Sequence, residues 1–148
     1  MSIQETIRTE MTTAWKAGDT VRRDALRLLI AALENARIEA GRLLEDADTI
    51  RVLQKEAKQR RDSITEYDKA GRSDLSAKEQ QELEVITTFL PTQLSDDEIR
   101  DLARGVITET GASGAGDVGK IMRPLIAKVA GRADGGRVNQ IARELLGG

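Results

Sequence analysis

The stretch "GAGDVGKI", Gly114 to Ile121, has a glycine, four residues, then Gly119 and Lys120, the spacing of a loop that cradles phosphate. Such a loop needs a strand feeding it, amides converging on the phosphate, and a hydroxyl after the lysine to hold magnesium. Here Ile121 occupies the hydroxyl position, and the residues upstream repeat with a helical period. The stretch therefore reads as a glycine-rich turn with a lysine in the first turn of the next helix. No nucleotide is expected at Gly114–Ile121.

Three further groups of charged residues invite a chemical reading. In "KEAKQRRDS", at about 100° per residue, Arg60 falls within the apolar arc of Leu53, Ala57 and Ile64, while Lys55 and Lys58 point away. A guanidinium placed there must snorkel or pair, and Glu82 or Glu84 on the next helix is its expected mate. The alternative is an anchor for a partner's phosphate or carboxylate. The acids of "EDAD", Glu45 to Asp48, lack a metal-ligand spacing and instead suit a helix N-terminus, so no metal or cofactor is expected. From Gly114 onward Lys120, Arg123, Lys128, Arg132, Arg137 and Arg143 face only Asp117, Asp134 and Glu144. That local basic excess suits a phosphate backbone, or else the solvated face of a small helical unit. No aromatic follows Phe89, so RNA contacts there would read shape and backbone instead of stacking on bases.

Absent residue types exclude whole reaction classes. The chain has no cysteine and no histidine, which removes disulfides, thiolate metal sites, Cys-His and Ser-His-Asp catalysis, and the usual base near neutral pH. No catalytic residue is assigned. A net charge of −2 gives no overall attraction to nucleic acid or anionic membrane. The opening "MSIQETIRTEMTTAW" lacks the apolar run of a signal peptide and the acid-poor look of a transit peptide, and no window reaches bilayer-spanning length. The expectation is a cytoplasmic protein without a membrane partner.

The elements that must position these residues are helices. Ile3, Ile7, Met11, Ala14 and Trp15 line one face up to Gly18; a second helix covers about Val21 to Ala40 with Leu26, Leu28, Leu29, Ile30, Leu33 and Ala36. A third runs from about Ala47 to Ala70 through Ile50, Leu53, Ala57, Ile64 and Tyr67, closed by Gly71. A fourth is expected to open on a capping box of Ser76 and Glu79 and to end at Leu90, because Pro91 pushes its predecessor out of helical geometry. Ser95 and Glu98 open a fifth, Asp117 is placed to cap a sixth through Val118, Ile121, Leu125 and Val129, and Asp134 a seventh through Val138, Ile141 and Leu145. Pro124 should kink the sixth, and Gly131 should end it. The fold expected is all-α: a four-helix antiparallel bundle over residues 1–91 and a small three-helix domain over 92–148.

Two long stretches, "KQRRDSITEYDKAGRSDLSAKEQQELEVITTFLPTQLSDDEI" and "DVGKIMRPLIAKVAGRADGGRVNQIARELL", resemble the GatB/YqeY family, most specifically at Arg60 to Ser63, Gly71-Arg72, Leu90-Pro91, Gly119-Lys120 and Gly131 to Asp134. The resemblance implies an all-helical protein similar to the C-terminal part of the B subunit of the glutamine-dependent tRNA amidotransferase. There the helical and tail domains engage tRNA while the kinase and amidase chemistry lies elsewhere. It implies tRNA, amidotransferase subunits or another tRNA enzyme as partners, and the basic tail residues Lys120, Arg123, Lys128, Arg132 and Arg137 are the expected contacts. Free-standing members are labelled, by transfer, carbon–nitrogen ligases with glutamine as amide donor; no nucleophile in this chain supports that label. A protein–protein adaptor without RNA binding is the alternative reading.

Overall fold

The computed structural model describes residues Met1 to Gly147. They form seven α-helices and no strand: α1 (Ile3–Ala17), α2 (Thr20–Ala40), α3 (Asp46–Lys69), α4 (Ser73–Thr88), α5 (Asp96–Thr110), α6 (Val118–Val129) and α7 (Gly135–Leu145). A single 3-10 turn, Ala115–Asp117, leads into α6. The chain divides into two compact units, one spanning Met1–Leu90 and the other starting at Pro91.

In the first unit α1 packs along α2 and α3 along α4. Ile7, Leu26, Leu29, Leu33, Leu53, Ala57, Val85 and Ile86 share one core. Each large aliphatic side chain buried there contributes about 1.5–3 kcal/mol. Local chemistry fixes the ends. Ser2 Oγ accepts from the Glu5 amide while Glu5 Oε2 accepts from the Ser2 amide, and Gly18, at φ +73°, turns the chain out of α1 in a left-handed conformation.

The second unit builds its core from Ile99, Ala103, Val106, Ile121, Leu125, Val129, Val138, Ile141 and Ala142. The Ser95–Glu98 capping box opens α5, and the Asp134 carboxylate accepts from the Arg137 amide to open α7. Helix α6 continues through Pro124, although proline has no amide to donate to the Lys120 carbonyl. It ends one residue before the expected Gly131, at Ala130, which takes φ +50°, a left-handed conformation unfavourable by about 1 kcal/mol for a residue with a Cβ.

Several expectations fail for reasons the tertiary structure supplies. Helix α4 starts a turn before Ser76, with Arg72 at the cap position; Ser76 is buried inside the helix, and Glu79 turns toward Arg60 instead of back to an amide. Asp117 precedes α6 but does not cap it, because its carboxylate accepts from the Ser113 amide at 3.0 Å and braces the glycine-rich turn. Trp15 and Leu28, read from periodicity as core, are 62% and 49% exposed, since Ala14, one residue from Trp15, and Ala25 take the inner positions.

Candidate functional site

The charged residues singled out by the sequence fall into three environments. The first is the contact between α3 and α4. Arg60 Nε donates to Glu82 Oε2 at 3.0 Å and Nη1 donates to Glu56 Oε2 at 2.8 Å, with Glu79 Oε2 3.7 Å from Nε. One guanidinium thus serves three carboxylates. Burial and the neighbouring Glu82 carboxylate raise the Glu79 pKa above the ordinary carboxylate value. Glu84 is exposed and takes no part, because two residues beyond Glu82 the helix has turned through about 200°. Helical periodicity points to one mate on the next helix, and Glu56 and Glu79 are additional partners. Their spacing held the signal: Glu56 is four residues before Arg60 on its own helix, and Glu79 three before Glu82 on α4.

The second environment is the start of α3. Asp48 accepts a bidentate pair from Arg42 at 2.8 and 3.1 Å, a second guanidinium from Arg51, and the Glu45 amide at 2.9 Å. These donors, Arg42 first, hold its carboxyl well below the usual carboxylate range. Asp48 therefore acts within the helix start, while Asp46 Oδ1 accepts from the Ile3 amide of α1 at 3.0 Å. Among the described residues no group of three or more potential ligand side chains is arranged to hold a metal ion.

The third environment is the second unit, where the five expected tRNA contacts separate. Arg137 forms a bidentate pair with Asp96 at 3.0 and 2.6 Å, tying α7 to the first residue of α5, and holds the Asp96 carboxyl below its ordinary pKa. Arg132 Nε donates to the Thr92 carbonyl at 2.9 Å, while its own carbonyl accepts from the Leu94 amide at 2.7 Å. Arg132 thus fastens the segment that leads into α5, and Arg137 fastens the start of α5 itself. Lys128 pairs with Glu109 at 3.0 Å. Lys128 and Arg132 also border a shallow cleft with Glu98 and Asp101, acids that oppose an incoming polyanion.

Lys120 and Arg123 differ from those three. They stand one turn apart on α6, both exposed; Lys120 keeps a single 3.3 Å contact to Asp117, and Arg123 has no ion pair among the described residues. The basic excess counted from Gly114 also disappears once α5 is included, because residues from Pro91 onward carry eight basic and eight acidic side chains. The fold leaves Lys120 and Arg123 as a local pair of cations beside the glycine-rich turn, and Arg143, whose Nε donates to Asn139 Oδ1 at 2.7 Å, is also exposed on α7 with no ion pair among the described residues.

Among the described residues no helix is long and apolar enough to cross a membrane. The chain is 28% identical over 95 residues to the uncharacterized protein C22F3.15 of Schizosaccharomyces pombe, a match covering 64% of this chain and 77% of that protein. It is 33% identical over 85 residues to Altered inheritance of mitochondria protein 41, mitochondrial, of Vanderwaltozyma polyspora, and the same identity and length hold for the protein of that name in Lachancea thermotolerans. Those matches cover 57% of this chain but 46% of the two mitochondrial proteins, so the chain spans about half their length. The family described as Yqey-like protein matches residues 4–146, nearly the whole of both units, and the chain belongs to the YqeY-like family.

Proposed function

We propose that this protein is a non-catalytic helical module that binds tRNA, or helps an amidotransferase or another tRNA enzyme to do so. In this reading α1 to α4 form an antiparallel four-helix scaffold, and α5 to α7 form the three-helix contact domain. The supporting observation is the exposed pair Lys120 and Arg123, one helical turn apart on α6 and not committed to the core. Two point charges at that spacing suit neighbouring phosphates, and binding through them would weaken steeply with salt. Arg132 and Arg137 enter this reading as residues that shape the domain, since their donors are already engaged within it.

Fluorescence anisotropy with labelled tRNA, measured across a salt series, tests the reading. Lys120→Glu combined with Arg123→Glu is expected to weaken binding by about tenfold or more and to flatten the salt dependence, with the melting temperature unchanged. Unchanged affinity in that double variant overturns the assignment. The rival, a protein adaptor without RNA binding, draws on the exposed apolar side chains of the first unit. A native complex that survives nuclease treatment and carries no enriched RNA would favour it.

A further inference from the structure

Helix α2 carries two apolar stripes, and the core uses only one. Leu26, Leu29 and Leu33 face inward with Ala25 beside them, whereas Val21, Leu28, Ala32 and Ala36 recur at steps of seven, four and four residues along an adjacent flank. At about 100° per residue these four fall within a wedge of about 80°. Val21 and Leu28 remain 54% and 49% exposed there. Two clefts follow one another along this flank. One, of about 560 Å³, lies between Val21, Leu28 and Arg27 of α2 and Lys78 and Gln81 of α4. The other, of about 420 Å³, lies between Ala32 and Ala36 of α2 and Val52 and Lys55 of α3. Large side chains at one end and alanine-sized recesses at the other give the relief into which a second helix sets its own apolar stripe.

We propose that this flank is a docking groove for an acidic amphipathic helix of a partner protein. The charge on its rim carries the choice of partner. Of the acids lining the clefts, Asp24 is paired with Arg23, and Glu56 and Glu82 are both taken by Arg60. Arg51 is likewise held by Asp48. Arg27, Lys55 and Lys78 are exposed and have no ion pair among the described residues, against Glu39 as the one uncommitted acid lining the clefts. Three free cations bordering an apolar stripe match a helix with apolar residues at i, i+4 and i+7 and carboxylates on its flanks. A nucleic acid would satisfy the cations but leave Val21 and Leu28 against sugar and phosphate. This groove lies within the first unit and shares no residue with the proposed tRNA contacts of the second.

The test uses two synthetic peptides of about 20 residues with the same leucine stripe, one flanked by glutamates and one by lysines, and reads anisotropy on the full chain. The acidic peptide is expected to bind about tenfold more tightly than the basic one. Leu28→Ser should weaken it about tenfold, the Arg27→Glu/Lys78→Glu pair should erase the preference for the acidic peptide, and Lys120→Glu/Arg123→Glu should change nothing. Leu28, Arg27 and Lys78 are exposed, and an unchanged melting temperature verifies that the variants fold. Equal binding of the two peptides, or binding indifferent to Leu28→Ser, overturns the proposal. So does a dimer of the full chain that Leu28→Ser dissociates, which would make the occupant a second copy, or displacement of the peptide by tRNA.

Discussion

Arg60 in the first unit and Arg137 in the second both join two helices through carboxylates, yet their surroundings differ. The Arg60 side chain is 14% exposed and its partners Glu56, Glu79 and Glu82 only 17, 21 and 14%. Arg137 and Asp96 are 36 and 47% exposed. In the shielded cluster water cannot replace a missing partner, and the acids outnumber the single cation. In the open pair it can, and the interaction is worth correspondingly less. A charge counted in the sequence thus says little about what it contributes until its exposure and its partners are known.

The largest expected effect comes from removing the shared guanidinium. Arg60→Met leaves three shielded carboxylates facing one another and is expected to lower stability by about 3 kcal/mol, measured by urea unfolding. A loss below about 1 kcal/mol would break the contrast, because it would make the cluster behave like a surface pair.

A smaller effect is expected at the open pair. Arg137→Ala should destabilise the chain by only a small fraction of the Arg60→Met loss, and a double-mutant cycle with Asp96→Asn isolates the part due to the pair. A coupling as large as that of Arg60 with Glu82 would show that exposure is not what separates the two sites.

The finest contrast is one of sign. The Glu79 pKa is raised, so its contribution to stability is fully present below the ordinary glutamate value of about 4.3 and is lost as the pH rises through the folded-state value. The Asp96 pKa is lowered by Arg137, so its contribution is present above the ordinary aspartate value of about 3.9 and is lost as the pH falls through the folded-state value. Urea midpoints followed from pH 7 to pH 3 should show Glu79→Gln removing a gain on acidification and Asp96→Asn removing a loss. The same sign of change in both variants would contradict the assignment.

The helices were legible because their signals are local. Ser95 and Asp134 cap as their positions imply, and Gly18 ends α1 with positive φ. Arg60 could be turned inward by counting residues, and one of its two expected mates, Glu82, is there. The start of α4 was misread at Ser76 because Ser76 and Glu79 satisfy a capping pattern that a partner on α3 overrides. The partners of two tail cations also lie far off in sequence. Arg137 and Asp96 are 41 residues apart, Arg132 and Thr92 are 40 apart, and no periodicity relates them.

The helical class, most helix ends and most of the core are legible along the chain, because caps, stops and apolar period act over only a few residues. Only the tertiary structure decided which charges are consumed and which remain open. It engaged Arg132, Arg137 and Lys128, left Lys120 and Arg123 outward, and bared Val21 and Leu28 beside Arg27 and Lys78, which have no ion pair among the described residues. Pairing and exposure depend on which distant segments the fold brings together, and that information is not carried by any one stretch of chain.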